Sequence, residues 1–346
     1  MSKRHAQPTL SDVARLAGVG VGTVSRVVNG GINVSPETFR KVDAAIQRLG
    51  YRPNHAARVL KGGRTKTIGL LVPSIADSFF ASCAEAAGRV ARLHDSLLIV
   101  SVTKNRHDAE MNSLDVLMRH RPDGLLLVPS SSSQTDLSRL LNRSPIPVIT
   151  FDRPLPGSGC SSVLTNSFES AREATAHLIG HGYKRILCFG GEPELYTIAE
   201  RVRGYHKAME EAGLPPMIDT SLGPDASRAS SLLAVHLKSK RPPDAILTLK
   251  NSSTIGTFQA LQELGVPVPS RVALLGFDDF ELATTLRPAI SVVQQPIEDI
   301  GRTAAELLFA QLEGASRTKT SNRLKQNQVI LANRLVIRRS CGCGSV

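Results

Sequence analysis

The stretch TLSDVARLAGVGVGTVSRVVN, Thr9 to Asn29, leaves this chain little choice of local fold. Thr9 can cap a helix, and Asp12 stands three residues on, where a capping-box partner belongs. Leu10, Val13, Ala14 and Ala17 then recur at helical spacing. Ala17-Gly18-Val19 supplies a turn, since glycine enters the left-handed conformation at least cost. A second helix is predicted from Val21. It buries Val24, Val27 and Val28 and leaves Thr23, Ser25, Arg26 and Asn29 facing out. Ser35-Pro36-Glu37 opens a third helix with a cap, a first-turn proline and an acid in order. Phe39, Val42, Ile46 and Leu49 make its apolar face, and Gly50 ends it. Two short helices about a glycine turn form a helix-turn-helix, whose second helix has the size and polarity to enter a DNA major groove.

The charge distribution supports a polyanion partner. Of a net +12 over 346 residues, nine charges lie in residues 1–66, where twelve Lys or Arg face three acids. A basic head on a near-neutral body suits nucleic acid held by one end. No apolar run approaches the roughly 18 residues of a membrane span. The first ten residues lack the apolar segment of a secretory signal. The five cysteines (Cys83, Cys160, Cys188, Cys341, Cys343) are odd in number and scattered. These features lead us to expect a cytoplasmic protein without disulfides.

After the head, Asn54 can cap a helix from His55 to Lys61, and Gly62-Gly63 frees its far end. Two turns are too few for stability alone in water, so this hinge is expected to order only when something binds it. From Lys66 the pattern changes. Apolar runs of strand length (68–73, 97–100, 124–128, 148–151, 186–189, 245–249, 272–276) alternate with helical stretches at 79–93, 108–120 and 168–181. Strands apolar on both faces with helices between them mean parallel sheets covered on both sides. Two such blocks suggest two doubly wound lobes, with ligands at strand carboxyl ends.

TLSDVARLAGVGVGTVSRVVN, VSPETFRKV, LGYRPN and ARVLKGGRTKTIGLLVP together resemble the head and hinge of the lactose-repressor (LacI) family of bacterial transcription regulators. The resemblance implies an α/β fold: a helix-turn-helix head (1–53), a hinge helix and linker (54–65), and a periplasmic-binding-protein-like body (66–340) for effector binding and dimerisation. Lobe 1 would take 66–162 and 294–323, lobe 2 163–293 and 324–340, with crossings near 162, 293 and 324. It implies that Val21, Gly22 and Arg26 read base edges. Arg26 can bond a guanine bidentately, Val21 can offer apolar contact, and Gly22 has no side chain to offer. Thr9, Thr23, Ser25 and Asn29 complete the expected DNA-facing set. The family's usual serine is absent at Gly20, which predicts a weaker cap on the second helix. Paired hinge helices would wedge Leu60 into a minor-groove step, with Asn54, Ala57 and Arg58 on the same element.

The resemblance also points to an effector site at Asp77, Phe79, Phe80, Asp152, Arg201, Lys250, Asn251 and Asp278, all just after strands or at helix starts. Lys250-Asn251 replaces the family's common Asn-Asp pair. That makes the pocket more basic and suggests an anionic sugar acid or sugar phosphate held by Lys250 and Arg201. The alternative has Lys250 in solvent or paired with Asp278. Phe79 and Phe80 could stack on a sugar, though one is expected in the core.

Other patterns carry less. Gly18-Val19-Gly20-Val21-Gly22 follows no strand, so it is no dinucleotide loop. His177 and His181 are one turn apart but read as helix-end histidines. Cys341-Gly342-Cys343 is tight for a zinc pair and reads as a frayed tail. Ser130–Ser133 reads as a surface loop. No catalytic, metal or cofactor constellation is expected. The sequence predicts a DNA-binding repressor acting as a homodimer on a palindromic double-stranded operator, controlled by a sugar-like effector, without membrane association. The rival readings are a transporter's solute-binding protein and a sugar-metabolism enzyme.

Overall fold

The computed structural model describes residues 8–28, 33–51, 64–131, 135–223, 226–317 and 327–344. The chain divides into two compact units, residues 1–65 and 66–346.

The first unit holds α1 (Leu10–Ala17), α2 (Val21–Val28) and α3 (Pro36–Leu49). The capping box forms at α1: Asp12 N donates to Thr9 Oγ1 at 3.3 Å, and Thr9 N donates to the Asp12 carboxylate at 2.9 Å. Gly18 closes α1 at φ +66°, its amide bonding back to Ala14 O. Ser35 caps α3 by accepting from Thr38 N. Val13, Ala14, Val24, Val27, Val42, Ala45 and Tyr51 form one small core. Phe39, expected inside, is 43% exposed. Because Thr9 holds two groups of the first turn, Thr9→Ala is expected to lower head stability by about 1 kcal/mol, read by urea unfolding of the intact chain.

The second unit alternates strands and helices: β1 (Thr67–Val72), α4 (Ser78–Leu93), β2 (Leu97–Val102), α5 (His107–Arg119), β3 (Gly124–Leu127), α6 (Thr135–Asn142), β4 (Val148–Phe151), β5 (Ser161–Thr165), α7 (Ser167–Gly180), β6 (Ile186–Phe189), α8 (Tyr196–Glu211), β7 (Met217–Asp219), α9 (Ala229–Leu237), β8 (Ala245–Thr248), α10 (Asn251–Glu263), β9 (Ala273–Phe277), β10 (Ser291–Gln294), α11 (Ile297–Arg317), β11 (Gln328–Leu331) and β12 (Arg334–Val336). Lobe 1 is a sheet in the order β11-β5-β4-β3-β1-β2, parallel throughout. Lobe 2 is a sheet in the order β12-β10-β9-β8-β6-β7, parallel except for its edge strand β12. Each sheet has an apolar cluster on either face.

Strand membership moves the crossings. Ser161–Thr165 pairs with β4 and Gln328–Leu331 pairs with β5, so both segments stay in lobe 1 beyond the expected points near 162 and 324. The chain leaves lobe 1 after Thr165, returns between β10 and α11, and leaves again between β11 and β12. At the hinge these segments bond to one another. Asn333 N donates to Asn166 Oδ1 at 2.7 Å, and Thr165 Oγ1 donates to Gln295 Oε1 at 3.1 Å. Ser130, expected in a loose loop, is buried: its amide and hydroxyl both donate to the buried Glu110 carboxylate.

Candidate DNA-reading surface and effector cleft

On α2, packing against α1 and α3 takes Val24 and Val27 inwards. Val21 (46% exposed), Gly22 and Arg26 are left on the outer face, and Thr23 and Ser25 are half-buried. Arg26 Nε donates to Gly22 O at 3.4 Å, so its guanidinium folds back over the turn before it. Gly20 O accepts from Thr23 N and Val24 N, but no side-chain oxygen at position 20 can take the earlier amides. Those amides and the helix dipole favour an anion there. Thr9 is engaged in its capping box. Asn29 and the hinge residues Asn54, Ala57, Arg58 and Leu60 lie outside the described residues.

The cleft residues meet at strand carboxyl ends. Asp152 follows β4 in lobe 1 and Asp278 follows β9 in lobe 2, each at φ +64°. Aspartate tolerates this left-handed conformation better than most side chains. The two amides make matching bonds to the neighbouring strand, Asp152 to Val163 O at 3.0 Å and Asp278 to Val293 O at 3.1 Å. Both lobes thus turn an aspartate into the cleft by the same device.

Between them lies Arg201, 3% exposed. Its Nη1 donates to Leu249 O at 2.7 Å, and its guanidinium sits 4.2 Å over the Phe277 ring. Its Nε has no hydrogen-bond partner among the described residues. Burial pulls the Arg201 pKa down, opposed by the Asp278 and Asp152 carboxylates. Gly204 fixes the place of this arginine. A Cβ there would lie 2.1 Å from Phe168 O, so α8 approaches α7 closely only because residue 204 has none. Asp152 pairs with the neighbouring Arg153 at 3.1 Å, and Arg153 also donates to Asn105 Oδ1 and Pro129 O. Burial raises the pKa of Asp152 despite Arg153 and Arg201. Asp77 caps α4, accepting from Phe79 N, and burial raises its pKa as well. Asn251, first in α10, donates to Ser78 Oγ at 3.5 Å and so spans the two lobes. Asp77, Asp152, Arg201, Lys250, Asn251 and Asp278 are therefore brought together.

Three expectations change. Phe79 and Phe80 are both buried in the lobe 1 core, edge-to-face at 5.0 Å, so neither is an exposed platform for a sugar ring. Lys250 turns neither to solvent nor to Asp278. Its Nζ donates to Glu192 at 2.7 Å, which neutralises the extra cation locally. The tail at Cys341-Gly342-Cys343 is not frayed: Cys341 is fully buried, against His177.

Sequence reasoning missed Glu192 and Gln295. Glu192 stands just past β6, where the rule that selected Asp77 and Asp278 would have found it. Gln295 is 5% exposed and donates to Asp278 Oδ1 at 2.6 Å while accepting from Thr165. Its sequence signal, a polar residue at a strand end beside a crossing, emerges only once the crossings are placed. A cavity of about 420 Å³ opens on the hinge beside Glu85, Arg89, Asp279 and Gln295.

Comparison with known proteins agrees with this architecture. Residues 9–54 match the family described as bacterial regulatory proteins, lacI family, and 175–341 match a periplasmic binding protein-like domain. Catabolite control protein A of Priestia megaterium is 34% identical over 303 residues, 87% of this chain and 91% of that protein. HTH-type transcriptional repressor PurR of Photobacterium profundum is 32% identical, covering 88% of this chain and 92% of its own. Among solved structures, the transcriptional regulator CelR–cellobiose complex superposes at TM-score 0.69 and 29% identity, over 96% of this chain and 99% of that one. The lac repressor dimer bound to operator and the anti-inducer ONPF shares the fold at TM-score 0.86 and 24% identity, over 97% and 99%. With a helix-turn-helix head, a two-lobed body and relatives matched over most of their length, this chain belongs to the lacI family of bacterial regulatory proteins.

Proposed function

We propose that this DNA-binding transcriptional regulator represses through a two-fold symmetric operator and is controlled by a neutral, polyhydroxylated effector of sugar type. The observation that carries the DNA reading is α2, which buries Val24 and Val27 and exposes Val21, Gly22 and Arg26 together. Two heads in a dimer would read two half-sites. Supporting a homodimer, the lobe 1 edge strand β2 exposes Leu97 and Val100, with Val116 of α5 also exposed. The relatives named above are regulators rather than enzymes, and among the described residues no helix is long and apolar enough to cross a membrane. Operator selection from random-sequence duplexes should yield a palindromic consensus. Affinity for it should fall with salt at a slope of about −0.9 per phosphate neutralised. A pool with no consensus would refute sequence-specific reading.

The balance of charge favours a neutral effector. Asp77, Asp152, Asp278 and Glu192 face Arg153, Arg201 and Lys250, so the cleft carries no cationic surplus. Carboxylates accept from sugar hydroxyls, and Arg201 donates to them. In a thermal-shift panel, a neutral sugar should stabilise the chain, by about 2.7 kcal/mol at a hundred times its Kd. Lys250→Ala should change that affinity little. Stabilisation by sugar acids or phosphates alone, lost in Lys250→Ala, would overturn the neutral reading.

A further inference from the structure

At the end of lobe 2 away from the hinge, four side chains converge that the effector site does not use. His177 and His181 lie on the last turn of α7 and just past it. Cys341 and Cys343 come from the segment after β12. The ligating atoms of all four lie within 4.8 Å of one another. His177 Nε2 is 3.4 Å from Cys341 Sγ and 3.6 Å from Cys343 Sγ, and His181 Nε2 is 3.0 Å from Cys343 Sγ. The two imidazoles meet edge-to-face at 4.8 Å between centroids.

These separations lie around those of a tetrahedron about one metal ion, so small rotations of the side chains bring all four ligands to it. With Zn–S near 2.3 Å and Zn–N near 2.0–2.1 Å, tetrahedral angles put nitrogen and sulfur about 3.6 Å apart and two sulfurs about 3.8 Å apart. Two thiolates and two neutral imidazoles are a ligand set for Zn²⁺, whose charge the thiolates cancel. Such a neutral site suits a place where Cys341 is fully buried and Cys343 and His177 are half-buried.

The surrounding chain holds the cysteines in this posture. Gly342 sits at φ +99°, and a Cβ there would lie 2.7 Å from Tyr183 Oη, so only glycine brings both sulfurs round to the histidines. Ser291 Oγ donates to Cys341 Sγ at 3.1 Å, the outer-shell bond a metal thiolate takes. Ser340 Oγ accepts from Ser291 N and donates to Leu274 O, pinning the residue just before the pair to lobe 2. Among the described residues no other group of three or more His, Cys, Asp or Glu has metal-binding proximity.

We propose that His177, His181, Cys341 and Cys343 bind one Zn²⁺, which staples the segment after β12 to the end of α7. Binding replaces two thiol protons with the metal and leaves no coordination position open, so the site is structural. It stands apart from the effector cleft, and its test is independent of effector identity.

The test titrates the reduced, metal-stripped full chain with Co²⁺ and then Zn²⁺. The expected result is one Co²⁺ per chain, with sulfur-to-cobalt charge transfer and the strong visible bands of tetrahedral cobalt, both erased by Zn²⁺. His181 is exposed and Cys343 half-buried, so His181→Gln and Cys343→Ser spare the core. Each should weaken Zn²⁺ binding by more than the roughly 10- to 100-fold typical of losing an outer-shell partner. Zn²⁺ should raise the melting temperature of the parent chain and not of either variant. A parent chain that takes up no stoichiometric cobalt would overturn the proposal. So would charge-transfer bands that survive intact in the double variant.

Discussion

Arg26→Ala is expected to weaken operator recognition strongly while leaving the head folded. A bidentate arginine–guanine pair discriminates by about 1–3 kcal/mol. In a dimer it is used twice, so specific affinity should fall by about 2–6 kcal/mol, or roughly 30-fold to 10⁴-fold. Arg26 is exposed and bonds only weakly to its own helix, so the free head should lose almost nothing. Fluorescence anisotropy on the selected operator and on duplexes altered one base pair at a time would test this. The variant should become indifferent to one symmetric pair of positions. An unchanged base preference would show that Arg26 contacts only phosphate.

Arg201→Ala should produce the largest loss in the body. The guanidinium is buried near Asp152 and Asp278, and deleting it removes the cation that offsets both carboxylates, of which Asp152 is already disfavoured as an ion by burial. Leaving a buried charge uncompensated costs up to about 3–5 kcal/mol, and the lower figure fits here because the carboxylates act on Arg201 through space and Arg153 still holds Asp152. A charge-assisted hydrogen bond contributes about 1.5–3 kcal/mol, so effector affinity should also drop roughly 10- to 150-fold. Arg201→Lys should recover part of the stability and little of the binding, since lysine lacks the planar fork that bonds Leu249 O and stacks on Phe277. Chemical denaturation with and without the best sugar separates the two effects. An Arg201→Ala chain of parental stability would mean that the cleft charges are screened by water.

The head was legible because its signals are local. A capping box, a glycine at positive φ and a valine stripe each act within one or two turns, and α1 to α3 follow them. In the body, apolar runs revealed β1, β3, β4, β6, β8 and β9, strands covered on both faces. β5, β10, β11 and β12 gave no clear signal. β5 and β10 mix serine, threonine or glutamine with their apolar residues, and Gln328–Leu331 and Arg334–Val336 are partly exposed edges whose pairing depends on distant partners. That is why the first and third crossings were placed a few residues early. The cleft aspartates were legible as a group because a polar residue at the end of a buried strand is conspicuous. Lys250 was misjudged because its partner Glu192 lies 58 residues away. The Cys-His cluster was dismissed for the same reason: two pairs, each weak alone, are joined only by the tertiary path of the chain after β12.

Gln295 makes cleft and swivel compete for one amide. Its Nε2 donates a hydrogen bond to the aspartate of lobe 2, and its Oε1 accepts one from the threonine at the first crossing. A guest hydroxyl that claims the Asp278 oxygen evicts that amide, and the threonine bond beside the swivel must rearrange with it. Occupancy would then be reported as a change of rotational freedom at the crossings, through a single glutamine and without any long relay of side chains.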